Sequence, residues 1–165
     1  IMEKNKEEVF YTHDISTGIS GFNKVNLESV DSIDRSKIIS GDNQEFKNYQ
    51  NKLNHSRQVL IKRLDEYLVN ESITKIDFLK IDTQGFEPEA LSGLGERLGD
   101  VGVVLTELMF YDYYERSLSF SDIEQFLLPA GFKLFDISHI AKNPMNGRTD
   151  WIDVIYTNNK QLDVK

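Results

Sequence analysis

Three hydrogen-bonding side chains and a glycine fall within six residues of this chain: Asp82, Gln84, Gly85 and Glu87. A carboxylate such as Asp82 can take a proton as a general base, orient a hydroxyl or hold a cation. The surrounding pattern says where it stands. Asp82 closes the apolar run IDFLKI (76–81), and Thr83-Gln84-Gly85 separates that run from an amphipathic segment that starts at Glu87-Pro88. This predicts a strand, a tight turn and a helix, with Asp82 at the strand's carboxyl end, where ligands bind in open α/β sheets. The simpler alternative is that Asp82 only caps the following helix. Gly85 reads as a demand of backbone shape. Glu87 reads either as a site residue or as a charge that favours the helix start.

Glu107 is the second carboxylate of interest. It ends VGVVLTE (101–107), which predicts a buried strand, and strand–helix–strand over about thirty residues is a βαβ unit with a right-handed crossover. Neighbouring strands lie about 4.8 Å apart. Asp82 and Glu107 would then raise each other's pKa and make one a general base, or hold a divalent cation together with Glu87. A salt bridge from Glu107 to Lys80 is the structural alternative, since Lys80 shares a strand face with Phe78 and Asp82. Phe110, Tyr111, Tyr113 and Tyr114 follow at the mouth of the cleft. Their rings suit sugars and flat groups, or else pack the loop onto the core. His13, His55 and His139 are scattered and show no metal-ligand spacing.

The elements that must position these residues are legible to different degrees. EVFYTH (8–13) predicts a first strand and DISTGISG (14–21) a turn. Residues 28–56 are polar with no steady period, a long excursion with one short helix near Gln44–Leu53. QVLIKRL (58–64) predicts a strand, and Asp65 a cap for a short helix through Val69. The nearly continuous apolar character of 76–81 suits a parallel strand covered on both faces. In the helix from Glu87 to Leu94, Ala90, Leu91 and Leu94 share one face, and Pro88 suits the first turn. Ser121 to Glu124 has capping-box spacing and opens a helix with Ile123, Phe126 and Leu127 inward, ended by Pro129 and Gly131. FKLFDI (132–137) and WIDVIYT (151–157) predict two strands, antiparallel because the turn-rich link between them is too short for a crossover helix. Trp151 reads as core.

At 165 residues, with 39% hydrophobic and 28% charged residues, the chain is read as one globular α/β domain. A net charge of −8 without any basic cluster argues against nucleic acid and against anionic membranes. No apolar run approaches the length of a membrane span and no secretory signal is visible. With no cysteine, thiolate catalysis and disulfides are excluded, and a cytoplasmic setting is the expectation.

The segment IDFLKIDTQGFEPEALSG resembles the FkbM family of S-adenosylmethionine-dependent methyltransferases, which typically shows a strand like DFLKID, then EG, a further acidic residue and L-x-G. Here these are Asp77 to Asp82, Gly85, Glu87, Leu91 and Gly93. A strand ending in Glu107, Ala-Gly-Phe at 130–132 and an acidic residue, Asp153, on a final strand extend the similarity over residues 7–158. The resemblance implies a Rossmann-like sheet with parallel central strands and an antiparallel carboxyl-terminal pair. It implies transfer of a methyl group from S-adenosylmethionine to a hydroxyl of a small molecule such as a sugar or polyketide. On it, Asp82 and Glu107 are catalytic, Asp82, Gln84 and Gly85 meet the cofactor, and Glu87, Tyr111 and Tyr113 meet the acceptor. Two departures stand out. Gln84 replaces the family's usual Glu, keeping hydrogen-bonding capacity and losing charge. The family's glycine-rich cofactor loop has no counterpart, so the chain reads as the second half of such a domain, with an unpaired edge at 76–81 that invites a homodimer. A non-catalytic binding module and a divalent-metal-dependent hydrolase built on Asp82, Glu87 and Glu107 are the alternatives.

Overall fold

The structure is a computed structural model and describes residues 6–14, 16–33, 48 and 51–161. β1 (Lys6–Thr12) and β2 (His55–Ile61) pair antiparallel as a separate two-stranded sheet. There follow α1 (Leu64–Asn70), β3 (Ile76–Ile81), α2 (Glu87–Leu94), a 3-10 turn, β4 (Val101–Met109), α3 (Phe120–Leu127), β5 (Lys133–Lys142) and β6 (Thr149–Thr157). The four later strands form one sheet in the order β3-β4-β6-β5. β3 and β4 run parallel, and β6 lies antiparallel between β4 and β5. The fold is therefore mixed α/β, with the predicted parallel pair and antiparallel closing pair both present.

Strand alternation splits the sheet into two unlike faces. Val104 and Leu108 of β4, and Ile152, Val154 and Tyr156 of β6, point to one face and are buried. Leu68 of α1, Leu91 and Leu94 of α2, and Ile123 and Leu127 of α3 cover them, so all three helices share that face and one core. Glu124 receives the Tyr156 hydroxyl at 3.1 Å, and burial together with that partner raises the phenol's pKa. The opposite face carries Phe78, Lys80, Val103, Leu105, Glu107, Met109, Trp151, Asp153 and Ile155. Among the described residues its Met109–Trp151 end is closed by a second cluster of Val25, Leu53, Tyr111, Tyr113 and Tyr114. Among the described residues no helix is long and apolar enough to cross a membrane.

Several expectations need correction. Among the described residues β3 is covered on one face only and lies at the sheet's edge, and Phe78 is 57% exposed. Its apolar run therefore did not mean burial on both sides. β2 lies three residues earlier than expected and stops before Lys62. Arg63, not Asp65, occupies the cap position of α1; Asp65 sits in the first turn and binds Arg63 and the Glu66 N–H. The capping box of α3 is Ser119 with Asp122, two residues ahead of Ser121 and Glu124, and the Asp122 carboxylate accepts from the Ser119 N–H at 2.8 Å. β5 runs on to Lys142 and β4 to Met109, both past the predicted ends. The helix expected near Gln44–Leu53 falls largely outside the described residues; at its end, Leu53 is buried in a turn.

Candidate active site

The turn after β3 is a compact knot of hydrogen bonds. Gln84 is 8% exposed and takes a left-handed backbone, φ 55°, which costs a non-glycine residue roughly 1–2 kcal/mol. Its side chain offsets that cost by bonding on both sides. Nε2 donates to Asp82 Oδ1 at 2.7 Å, and Oε1 accepts from the buried Tyr114 hydroxyl at 2.6 Å. Its carbonyl accepts from Asn23 Nδ2 at 3.0 Å. Gly85 follows at φ 90°, and a Cβ there would lie 2.7 Å from Asn23 Nδ2, so only glycine fits. The Gln84 amide both donates and accepts, which a carboxylate in its place cannot do unless protonated.

Asp82 does not cap α2. Its Oδ2 accepts from Lys80 at 2.9 Å and its Oδ1 from Gln84. Lys80 thus serves Asp82, and the Lys80–Glu107 salt bridge offered as the alternative does not form. The Glu107 carboxyl is half-buried and makes no hydrogen bond among the described residues. Burial, followed by the charges of Asp82, Asp153 and Glu87, pushes its pKa up to about 7, against a smaller opposing pull from Lys80. Of the mutual influence expected from strand spacing, the effect of Asp82 on Glu107 is present, with burial the larger cause.

Glu87 folds back over the turn rather than towards a ligand. It is 1% exposed, and its Oε1 accepts from the Thr83 N–H at 2.8 Å, while Oε2 has no partner. Burial raises its pKa against that N–H. With Gly85, Glu107, Met109, Arg116 and Leu118 it lines a crevice too narrow for a water molecule. Arg116, the cation of that crevice, is held by Glu89 at 2.7 Å. Asp82 thus turns to Lys80 and Gln84 and Glu87 to the Thr83 N–H, and among the described residues no three His, Asp or Glu side chains converge at metal spacing.

The aromatic run packs inward. Tyr113 is 1% and Tyr111 7% exposed, and the two rings stack at 5.6 Å, with Trp151 6.3 Å from Tyr111. Neither tyrosine presents a ring face to solvent; only Phe110 of the run stays open. The residue whose contact matters is Tyr114, through its hydroxyl. It is placed by a β-bridge to Val25, whose backbone is clamped on both sides by the Asn54 amide at 2.9 and 3.0 Å. Asn54 in turn donates its N–H to His13 Nδ1. His13 is buried and its pKa is lowered, by burial and then by the charge of His55, so it stays a neutral acceptor. Asn23 and Asn54 carried no signal in the sequence, because their partners are 61 and 29 residues away.

A family profile described as "Methyltransferase FkbM domain" matches residues 5–134, most of the chain. It takes in the Gln84 turn and Glu107, and ends early in β5, before Asp153. No curated protein and no solved structure matches.

Proposed function

The chain belongs to the FkbM methyltransferase family, and on that premise we propose that it serves the transfer of a methyl group from S-adenosylmethionine to a hydroxyl of a small acceptor such as a sugar or polyketide. We read its four-stranded sheet as part of a Rossmann-like methyltransferase sheet, because β3 and β4 run parallel and bring Asp82 and Glu107 to their carboxyl ends, where such sheets bind ligands. The observation that carries the reading is Glu107: a carboxyl at that end, free of hydrogen bonds among the described residues, with a pKa raised to about 7. That value matches a general base working at neutral pH.

The bound cofactor would supply an electrophilic methyl group on sulfur. The chain's residues do the rest. Glu107 would accept the proton of the acceptor hydroxyl, freeing that oxygen to take up the methyl group. Asp82, held by Lys80 and the Gln84 amide, orients the acceptor. Gly85 and Gln84 shape the turn that the cofactor's methionine end would approach. Such a transfer gains mostly from positioning, and the Gln84 side chain, hydrogen-bonded to both Asp82 and Tyr114, fixes the turn that would give it. The Gln84 substitution is consistent with this role, since the amide leaves no contact unmet.

Calorimetric titration of the chain with S-adenosylhomocysteine tests the reading. Micromolar binding that Gly85→Ala weakens supports it. Absence of binding overturns the cofactor assignment for this chain and favours the non-catalytic module. The partner reading attached to the exposed β3 edge is self-association, which a monomer at every concentration in light scattering would end.

A further inference from the structure

A buried histidine is the first link in the contacts behind the Gln84 turn. His13, just past β1 and 5% exposed, accepts the Asn54 N–H on its Nδ1 at 3.0 Å. The ring proton of the neutral form therefore sits on Nε2. That atom is buried as well and finds no acceptor in hydrogen-bonding geometry. The Ile19 carbonyl, which acts on the ring, is already taken by the Tyr114 hydroxyl at 3.1 Å.

From Asn54 the contacts run without a break to Asp82. Asn54 holds a left-handed backbone, φ 59°, and its side-chain amide clamps both the N–H and the carbonyl of Val25. Val25 bridges to Tyr114, the Tyr114 hydroxyl meets Gln84 Oε1 at 2.6 Å, and Gln84 Nε2 meets Asp82. The whole chain of contacts thus starts at a titratable acceptor.

A second proton on the ring has no place in this arrangement. On Nδ1 it would point at the Asn54 N–H, donor against donor, and that bond must break. Turning the ring over puts a carbon where Nδ1 stood and leaves the Asn54 N–H without an acceptor too. Buried donors left unpaired are costly. Among the described residues the titratable groups on the elements around His13 offer no relief. Asp14 turns to His55 at 3.3 Å, Lys24 lies over the Tyr11 ring, Lys52 is exposed, and the Tyr114 hydroxyl is engaged with Ile19 and Gln84. Burial first and the like charge of His55 second hold the His13 pKa down, against a smaller pull from the Ile19 backbone.

We infer that His13 is an acid-sensitive latch: neutral, it fastens the Asn54–Val25 clamp that seats Tyr114 on the Gln84 turn, and protonated, it releases the clamp and loosens the candidate site. This does not depend on the methyl-transfer reading. The native state resists the extra proton, so the latch's contribution to stability is complete above about pH 6.5 and is lost as pH falls from there through the lowered folded value. Glu107 titrates with the opposite sign, so the test needs a local readout.

Amide hydrogen exchange and side-chain NMR of the full chain, followed from about pH 7.5 to 4.5, supply it. Protection of the Asn54 and Val25 N–H groups and of the Gln84 side-chain amide is expected to fall at least about tenfold relative to Val104 in β4. The midpoint is expected to coincide with titration of the His13 ring. His13→Asn keeps an acceptor at the δ position, cannot titrate, and is expected to abolish the fall. No local fall, a fall shared equally by Val104, a midpoint that follows the His55 ring instead, or a fall that persists unchanged in His13→Asn overturns the inference. So does a Gln84 amide that stays protected while Asn54 opens, since the latch then does not reach the site. Should His13→Asn fail to fold, agreement or disagreement between the ring titration and the Asn54 exchange midpoint in the unsubstituted chain decides it.

Discussion

Replacing Glu107 by Gln keeps size and shape and removes the charge that the folded state resists. Burial and three neighbouring carboxylates raise the Glu107 carboxyl from 4.5 to about 7 on folding. The native state therefore holds this proton over a range in which the unfolded chain has released it. Stability falls as pH rises wherever the native state binds more protons. The contribution of protonated Glu107 is complete below about pH 4.5 and lost as pH passes through about 7. At 1.36 kcal/mol per pH unit the strain above that pH is bounded at roughly 3 kcal/mol. Glu107 is only half-buried and partly screened by water, so roughly 1–2 kcal/mol is the fair expectation.

Glu107→Gln is thus expected to be near neutral at pH 4.5 and stabilising at pH 8.5. For a chain of this size that amounts to a rise in Tm of roughly 3–6 °C. Differential scanning calorimetry of both proteins across that range measures it, and the pH at which their Tm curves separate reports the carboxyl's pKa. A Tm difference that is the same at pH 4.5 and 8.5, or a destabilisation at high pH, would refute the reasoning. It would mean that Glu107 has a cation partner and is not strained. Activity, if methyl transfer is the function, should be lost in the same variant, giving the opposed stability and activity effects of a functional carboxylate.

Gly85→Ala forces a Cβ to within 2.7 Å of Asn23 Nδ2 at a φ of 90°, and urea denaturation should show a loss of roughly 1–3 kcal/mol. Tyr114→Phe strips the hydroxyl from the buried Gln84 Oε1, with an expected loss of about 1–2 kcal/mol in the same assay; an unchanged midpoint would mean that the Gln84 turn stands without it. Leu94→Ala opens a cavity at a fully buried position between the helices and the sheet, which should cost about 2–5 kcal/mol and leave the Glu107 titration untouched.

What the sequence by itself determined was local. The β3–turn–α2 segment could be read to the residue, because strand period, glycine turn, Pro88 and the Leu91–Leu94 face are all set by neighbours in the chain. The same holds for the antiparallel β5–β6 pair, set by a link too short for a crossover, and for the nomination of Asp82 and Glu107 from their strand-end positions. Ends of elements went astray by two residues, as with Ser119 against Ser121, which offer the same hydroxyl, and Arg63 against Asp65, where the expected cap lies inside the first turn. The tertiary structure alone decided what each site residue touches. Lys80 chose Asp82 over Glu107, Glu87 turned back to the Thr83 N–H, and Tyr111 and Tyr113 went into a core whose other members, Val25 and Leu53, lie far away in the chain. The level placing of Glu107, Asp153 and His139 across three strands was beyond the sequence for the same reason. It depends on β6 slotting between β4 and β5, and strand register is fixed by packing across the sheet, not by any neighbour along the chain.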